Sequence, residues 1–254
     1  MKIVSFNMQH CQNYVSRKID YQLYADVIKL LDPDILGLNE MRSQGSIEGY
    51  EYQTEKLSEL TGIKNYYFAK AIDVMNADDP KNVKVVAARE SDGDYNPYGN
   101  ALLTKLNIES VETIPVPDPA EDDRHGKRDY EPRCLLKAKL EGGITVLITH
   151  FGLNPEEHIN AVNTVLENLE SEKCILMGDF NVEPDSEVLK PIREKMKDTA
   201  DLFIMPRKSW PSEAPERKID YIFVSPDVEV VAADIPGIIA SDHRPHTAEI
   251  NLDK

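Results

Sequence analysis

The chain has 254 residues, with 45 acidic and 29 basic side chains and a formal charge of −16 at pH 7. Proteins that hold nucleic acid along its backbone usually present a basic face, because Lys and Arg displace the counterions condensed on phosphate. The acidic balance therefore argues against extended contact with nucleic acid. Any phosphate that this chain binds must be neutralised locally, by a few clustered cations or by a metal ion.

The length and the even spread of 12 Gly and 16 Pro predict a single domain over residues 1–254. We expect no membrane insertion, since no apolar run approaches the ~18 residues of a membrane span, and the first residues resemble a strand more than a signal peptide. Cys11, Cys134 and Cys174 are odd in number and far apart, so they favour neither a disulfide framework nor a metal site. These features predict a cytoplasmic location, and nothing in the sequence indicates an obligate protein partner.

The predicted elements are strands interspersed with helices. Strand-like apolar segments occur at residues 2–6, 35–39, 66–71, 84–89, 100–104, 134–140, 144–149, 174–177, 219–224, 228–233 and 246–251. Helical patterns occur at residues 20–31, 155–170 and 185–197. Because strands outnumber helices and the helices fall between strands, the sequence predicts an α/β fold in which helices cover the outer faces of sheets.

Four stretches have the composition of surface loops: residues 72–82, 90–97, 117–132 and 205–217. Loops of this length are uncommon in a compact domain unless they have a function, so they are candidates for the rim of a substrate site. For the charged stretch at 117–132, a solvated flexible loop is the alternative.

Polar side chains follow several of the predicted strands at the points where the strands end. In an α/β sheet such ends meet at one edge, where residues distant in sequence form a single site. The sequence therefore predicts one site that contains Asn7, Glu40, His150, Asp179, Asn181, Asp220, Asp242 and His243. Taken singly, some have structural alternatives, since Asn7 could cap a turn and Glu40 could open a loop.

The chemistry of these side chains indicates a metal-dependent reaction. Carboxylate and amide oxygens are the ligands that Mg²⁺ or Mn²⁺ prefers, whereas zinc is disfavoured because no two His stand at a metal-binding spacing. His150 and His243 suit acid–base or phosphate-stabilising roles. Asp220 is the acidic residue that we expect to pair with His243, because a carboxylate holds a histidine in one tautomer and makes it a better base.

The same residues lie in motifs that resemble the endonuclease/exonuclease/phosphatase superfamily, a group of metal-dependent phosphoesterases. The motifs stand in the family's order and are FNMQH at the start, DPDILGLNE at 32–40, YGNALLTK at 98–105, TH at 149–150, GDFN at 178–181, KIDYIFVS at 218–225 and SDHRP at 241–245. They extend over nearly the whole chain. The resemblance implies a four-layer α/β/β/α sandwich of the DNase I type, with the active site at one edge of two packed mixed sheets.

The resemblance also implies roles for the matching acidic and amide residues. Glu40 resembles the principal metal-binding residue, with Asn7 and Asp242 near it, and the implied cofactor is Mg²⁺ or Mn²⁺. Asp179 resembles the residue that orients or deprotonates the attacking water. Asn181 resembles its neighbour that contacts phosphate or metal.

Two histidines have counterparts in the family as well. His243, paired with Asp220, resembles the catalytic histidine, and His150 resembles a phosphate-stabilising or leaving-group histidine. The residues implied as substrate contacts are Asn100, Arg133 and Asn154. For Arg133, a surface position beside a strand is an equal alternative.

The sequence departs from the family's pattern at two positions. Gln9 stands where many nucleases of the family have an acidic residue, so a second carboxylate from that motif is missing, and Asn39 precedes Glu40 where Gln is commoner. The first departure weakens the prediction of a repair nuclease. The motifs most resemble the small bacterial stand-alone hydrolases of the superfamily.

The function predicted is in-line hydrolysis of a phosphodiester or phosphomonoester, with a small molecule of the sugar or lipid type favoured over nucleic acid as substrate. One alternative is a DNA or RNA nuclease, for which Trp210 could stack on a base, although packing within its own loop is at least as plausible. Another is a catalytically silent binding protein on the same fold. The basic residues that a nuclease could use in its loops are Arg124, Lys127, Arg128, Arg207, Lys208, Arg217 and Lys218.

Overall fold

The computed structural model describes residues 1–43, 51–76, 82–91, 93 and 95–252. Within these ranges the strands are β1 (Lys2–Asn7), β2 (Ile35–Arg42), β3 (Asn65–Met75), β4 (Lys84–Ala87), β5 (Pro97–Thr104), β6 (Ile108–Pro115), β7 (Cys134–Leu140), β8 (Ile144–His150), β9 (Cys174–Asp179), β10 (Lys197–Asp198), β11 (Asp220–Val224), β12 (Glu229–Asp234) and β13 (His246–Asn251). The helices are α1 (Tyr21–Leu31), α2 (Gln53–Thr61), α3 (Pro155–Asn168) and α4 (Lys190–Arg193).

The strands form two mixed sheets. Seven strands make the first sheet, in the order β12-β13-β1-β2-β5-β3-β4, and six make the second, in the order β10-β11-β9-β8-β7-β6. The pairs β1–β2 and β8–β9 are parallel, and each lies inside its sheet. These two parallel pairs direct four strand ends toward the same edge of the molecule.

The two sheets pack face to face over a fully buried apolar core. Ile3 and Ile35 of the first sheet belong to one cluster with Ile148 and Ile175 of the second. Side chains alternate across a strand, so the residues between these positions point to the outer faces, where they meet the helices. Burial of this core contributes on the order of 25 cal/mol for each Å² of apolar surface removed from water.

Helices cover both outer faces. Residues Tyr24 and Ile28 of α1 pack on Phe6 of the first sheet, whereas Val162 of α3 packs in the cluster that contains Leu147 of the second. The layers are therefore α/β/β/α, and the predicted fold class is confirmed.

The helix predictions are confirmed in two places and wrong in a third. Helix α1 begins after Asp20, whose side chain accepts a hydrogen bond from the backbone N–H of Leu23, and α3 begins at Pro155. The helix predicted at 185–197 is wrong, because only Lys190–Arg193 is α-helical and residues 197–198 form β10. Pro191 has no backbone N–H, so it cannot donate to a carbonyl in a preceding helical turn. A helix can therefore begin beside Pro191, as α4 does, but it does not continue through that position.

Besides β10, the sequence did not predict α2 or the edge strand β6, and both carry few apolar residues. Of the predicted loop at 72–82, residues 72–75 belong to β3 and residues 77–81 lie outside the described residues. The predicted loop at 90–97 also includes positions 92 and 94, which lie outside them. No helix in the described ranges is both long and apolar enough to cross a bilayer, and the three cysteines are free and buried.

Candidate active site

Strand pairing brings the predicted site residues of the second sheet side by side. In the parallel pair β8–β9, His150 lies opposite Asp179, and in the antiparallel pair β9–β11, Asp220 lies opposite Asp179 on the other side. Asn7 at the end of β1 then reaches across from the first sheet, because its Nδ2 donates to Oδ2 of Asp179 at 3.1 Å. The site therefore lies where the two sheets meet at one edge.

Asp179 is at the centre of this group and is 2% exposed. Its Oδ1 accepts a hydrogen bond from the backbone N–H of Asn181 at 2.9 Å. Its Oδ2 lies 3.6 Å from Nε2 of His150 and 3.6 Å from Nε2 of His243. Burial raises the pKa of Asp179 and outweighs His243, which lowers it. This carboxylate is thus a stronger base than an ordinary aspartate.

His243 and Asp220 form a buried pair. Nδ1 of His243 lies 2.8 Å from Oδ2 of Asp220, and the two residues are 4% and 0% exposed. Burial lowers the pKa of His243, but Asp220 and Asp179 together outweigh burial, so the pKa lies above the ordinary 6.5. His243 therefore carries a positive charge at neutral pH.

His150 has a different partner. Its Nδ1 lies 3.2 Å from Nη1 of Arg133, and Nη2 of the same arginine lies 2.9 Å from Glu131. Burial and then the Arg133 charge hold the pKa of His150 well below 6.5. Of the two histidines beside Asp179, His150 is neutral and His243 is charged.

Glu40 lies in a backbone conformation that is rare outside glycine. Its φ is +56°, next to a bulge where the register of β2 against β5 shifts between Leu38 and Met41. Such strain costs on the order of 1–3 kcal/mol and is concentrated at functional sites. The bulge turns the Glu40 side chain toward Asn7, whose Nδ2 donates to Oε1 at 3.2 Å.

Asp242 lies at the rim of the site. Its Oδ1 accepts from the hydroxyl of Ser241 at 3.1 Å, and its Oδ2 accepts from the indole N–H of Trp210 at 3.4 Å. Burial raises the pKa of Glu40, His243 lowers it, and Asp242 raises it further. Through its hydrogen bond to Asp242, the half-buried Trp210 connects its own loop to the site.

The donor set suits a hard divalent cation. Glu40 and Asp242 are two carboxylates whose charges repel, which a cation between them would relieve. Gln9 follows Asn7 by two residues, and its Oε1 is buried without a hydrogen-bond partner in the described part of the chain; a cation within reach would satisfy such an acceptor. The amide oxygen of Asn7 accepts from the N–H of Gln9 at 3.1 Å, so its role as a metal ligand stays a prediction.

A second combination of possible ligands is Asp179, Asp220 and His243, whose candidate atoms lie within 4.8 Å of one another. Nδ1 of His243 already has Asp220 as a partner at 2.8 Å. A cation placed among these three groups would compete with the positive charge on His243. Electrostatics therefore favours the Glu40 side of the site for a metal.

Asn39 joins the two sheets behind the site, a role that the sequence analysis missed. Its Nδ2 donates to Oδ1 of Asn100 at 2.8 Å and to the carbonyl of Thr149 at 2.9 Å, and its Oδ1 accepts from the N–H of Asp179 at 2.9 Å. Asn100 also donates to the carbonyl of Cys134 at 3.0 Å. Both polar atoms of the Asn100 amide are engaged with protein, and its contact with substrate stays a prediction.

Asn154 lies at the start of α3 and is 1% exposed. Its side chain accepts from the N–H of Arg128 at 3.0 Å and donates to Glu157 at 2.8 Å. These bonds attach the loop at 117–132 to the helix. The observed contacts of Asn154 are thus with protein, and its predicted contact with substrate is untested.

Gly178 is required by the close approach of β8 and β9. It has a φ of +145°, and a Cβ at this position would overlap the carbonyl oxygen of Thr149. Thr149 and Gly178 are register partners, as are the following residues His150 and Asp179. The glycine therefore lets the two strands deliver His150 and Asp179 to adjacent positions.

Four of the seven loop cations that a nuclease could use have partners within the protein. Arg217 pairs with Glu183 at 3.1 Å and Arg207 with Asp234 at 3.2 Å. Lys218 is 7% exposed, and its Nζ lies 3.2 Å from the centre of the Tyr221 ring and 3.6 Å from Asp198. Placing Lys218 on an exposed substrate rim was therefore wrong, because Lys218 lies two residues before β11 and is buried. A further loop cation, Arg124, donates to the carbonyl of Pro119 at 3.0 Å.

The sequence profile of the Endonuclease/Exonuclease/phosphatase family matches residues 4–243. This match extends from β1 to His243 and so includes every strand end that contributes to the site. The chain belongs to the endonuclease/exonuclease/phosphatase family. No curated protein sequence matches it.

Solved structures share the fold at low sequence identity. An endonuclease/exonuclease/phosphatase from Beutenbergia cavernae has a TM-score of 0.75 and 20% identity, with 99% of this chain and 71% of that chain aligned. A mannosyl-6-phosphatase from Bacteroides thetaiotaomicron has a TM-score of 0.72 and 16% identity, over 99% of both chains. The human Nocturnin catalytic domain has a TM-score of 0.65 and 16% identity, over 100% of this chain and 93% of its own.

Proposed function

We propose that this chain is a divalent-metal-dependent phosphoesterase that hydrolyses its substrate by in-line attack of a water molecule on phosphorus. The observation that carries the proposal is the Asp179 carboxylate, which is buried and has two histidine Nε2 atoms at 3.6 Å from one of its oxygens. A base, hydrogen-bond donors and a cation side by side are the groups that phosphoryl transfer needs.

Asp179 orients the water and takes its proton. The N–H of Asn181 and the amide of Asn7 fix the carboxylate from two sides, at 2.9 and 3.1 Å. Because burial raises its pKa, Asp179 accepts a proton more readily at neutral pH than an exposed aspartate does. A fixed base of this kind contributes roughly 10²- to 10⁴-fold to the rate.

His243 and His150 stabilise the negative charge that grows on the phosphoryl oxygens. Asp220 keeps His243 charged through the 2.8 Å contact, and His150 presents its Nε2 to the same oxygen of Asp179 as His243 does. Donors fixed in a buried site act more strongly than donors in water, because they need no reorganisation during the reaction.

Glu40, with Asp242 and Asn7, would hold the cation, for which Mg²⁺ or Mn²⁺ suits the oxygen donors. When bound, such a cation neutralises charge on the phosphate and lowers the pKa of a coordinated water. The amide Nδ2 of Asn7 donates to Glu40 at 3.2 Å and to Asp179 at 3.1 Å, so one side chain positions both carboxylates. In this assignment Glu40 binds the cation and Asp179 takes the proton.

A small phosphate ester of the sugar or lipid type is the substrate class that we favour. The net charge of −16 repels long nucleic acids, and several loop cations are paired or buried. The structurally similar mannosyl-6-phosphatase gives a sugar phosphate as the first compound to test. A nuclease and a silent binding protein stay alternatives, and the predicted cytoplasmic location also stays a prediction.

Hydrolysis of bis-(p-nitrophenyl) phosphate and of a panel of sugar phosphates tests the proposal, with single- and double-stranded oligonucleotides as the competing substrates. We expect turnover of the small esters and a loss of roughly 10²-fold or more in Asp179→Asn. Asp26→Asn, the same change at an exposed position on α1, is the control and should keep full activity. Turnover of oligonucleotides alone would contradict the substrate class, and full activity of Asp179→Asn would contradict the mechanism.

A further inference from the structure

Arg133 stands behind His150 as a buried cation. The two side chains are 9% and 7% exposed, so their 3.2 Å contact between Nη1 and Nδ1 is shielded from water. Glu131 holds the other end of the guanidinium at 2.9 Å. The arginine is therefore fixed from both sides and cannot turn away from the histidine without leaving Glu131.

The hydrogen bond between these two side chains has only one possible direction. A guanidinium has N–H donors and no acceptor, and it keeps its charge at any physiological pH. Arg133 must donate, so Nδ1 of His150 must accept. An imidazole that accepts at Nδ1 is neutral and carries its single proton on Nε2.

His243 has the opposite arrangement. Its Nδ1 faces the carboxylate of Asp220 at 2.8 Å, and an ionised carboxylate only accepts. Nδ1 of His243 is therefore protonated. Although both histidines place Nε2 at 3.6 Å from the same oxygen of Asp179, their Nδ1 partners impose opposite hydrogen-bond directions.

We propose that Arg133 is a positioning residue that holds His150 as the neutral tautomer protonated at Nε2, so that His150 donates a hydrogen bond to a phosphoryl oxygen and transfers no proton. The catalytic consequence rests on the proposed phosphoesterase function, whereas the tautomer itself does not. Because the hydrogen stays on Nε2 throughout, the leaving oxygen takes its proton from another group or from water.

The groups that face His150 come from four segments. Arg133 precedes β7, Asp179 ends β9, His243 precedes β13, and His10 lies in the turn after β1. Burial is the largest cause that lowers the pKa of His150, followed by Arg133, His243 and His10. Asp179 is the acidic group at 3.6 Å, and it lies on the Nε2 side, where it favours a proton on that nitrogen.

Nitrogen NMR of the labelled protein without substrate tests the tautomer directly. The His150 signals are identified by their loss in His150→Gln. In the wild type at neutral pH we expect Nδ1 to be unprotonated and Nε2 to be protonated. Detection of a proton on Nδ1 of His150 would overturn the proposal.

Two substitutions then test whether Arg133 is the cause. Arg133→Met removes the donor, and a second His150 form with a proton on Nδ1 should become populated. Arg133→Lys keeps a group that only donates and should retain the wild-type tautomer. Arg89→Met is the control, because Arg89 pairs with Asp118 at 2.7 Å outside the site and its loss should leave His150 unchanged.

An unchanged tautomer in folded Arg133→Met would refute the role of Arg133. If this variant does not fold, the wild-type and Arg133→Lys spectra decide.

In the hydrolysis assay, kcat should fall roughly 10²-fold in Arg133→Met and less than about tenfold in Arg133→Lys. Equal losses in the two variants would contradict the positioning role. Absence of hydrolysis in every variant and in the wild type would refute the phosphoesterase function while leaving the tautomer result intact.

Discussion

Replacing Asp220 with Asn tests the pairing of a buried carboxylate with His243. Asp220 is fully buried, and its Oδ2 lies 2.8 Å from Nδ1 of His243. Asn has nearly the same shape but no charge. Because Asp220 is the charged group that contributes most to the raised pKa of His243, the variant should hold a neutral histidine near neutral pH.

The expected loss of rate follows from the geometry. Nε2 of His243 lies 3.6 Å from Oδ2 of Asp179. A phosphoryl oxygen held between these two groups would interact with the positive charge of His243 at a similar distance. Two unit charges at this separation interact by roughly 5 kcal/mol at an effective dielectric constant of about 20. If about half of that energy acts on the transition state, kcat/KM falls roughly 10²-fold.

The assay is kcat/KM for bis-(p-nitrophenyl) phosphate at neutral pH, together with thermal unfolding of each variant. Asp73→Asn is the matched control, because Asp73 is equally buried and also has a cationic partner at 2.8 Å, Lys70, outside the site. We expect Asp73→Asn to lose stability and keep activity. Folded Asp220→Asn with kcat/KM within about twofold of the wild type would refute the reasoning.

Two further predictions concern stability. Gly178→Ala should lower the free energy of unfolding by ~3 kcal/mol or more, for two reasons. Gly178 has a φ of +145°, and a Cβ at this position would overlap the carbonyl oxygen of Thr149. Gly143→Ala, at a φ of +75° with open space around it, should cost only ~1 kcal/mol, and equal losses in urea denaturation would contradict this account. In the folded protein the pKa of His243 lies above its ordinary value of 6.5. Its positive charge therefore stabilises the metal-free protein fully below pH 6.5, and this stabilisation is lost as the pH rises through the pKa of the folded state. The difference in unfolding free energy between the wild type and His243→Gln should therefore shrink above pH 6.5, and a difference that grows with pH would show that the sign is wrong.

The sequence could predict which strand ends form the site because side-chain type and position suffice for that step. Asp179 and His150 each follow a run of buried apolar residues, and parallel strands place such ends at one edge. The pairing of Asp220 with His243 was also predictable, since a carboxylate inside an apolar strand needs a partner. The structure brings these four groups together, with Asp179 between the two histidines.

Contacts that depend on how the two sheets pack were beyond the sequence. Asn39 looked like a variant of a motif, yet its amide joins Asn100 and Asp179 across the sheets. Arg133 was as plausible at the surface as in the site, because one position before a strand does not determine which way its side chain turns. Only the register of β7 on β8, in which Leu135 lies opposite Thr149, fixes Arg133 beside His150.

The basic loops show the opposite error. Their composition suggested cations available to a ligand, but composition does not show which acidic residue lies within reach in the fold. Glu183 and Asp234 are distant in sequence from Arg217 and Arg207, and each forms an ion pair of about 3 Å with its arginine. The loops are thus less basic at their surface than their residue counts imply.

The most direct test of the proposed function is whether hydrolysis requires a metal ion and whether Glu40 is needed to bind that ion. Protein treated with EDTA and then assayed with and without added Mg²⁺ or Mn²⁺ should be inactive until the metal is restored, and Glu40→Gln should need far more metal or remain inactive. Glu141→Gln, an acid paired with Asn107 at 2.8 Å on the surface, should behave as the wild type. Hydrolysis that survives EDTA, or Glu40→Gln with the metal requirement of the wild type, would contradict the account.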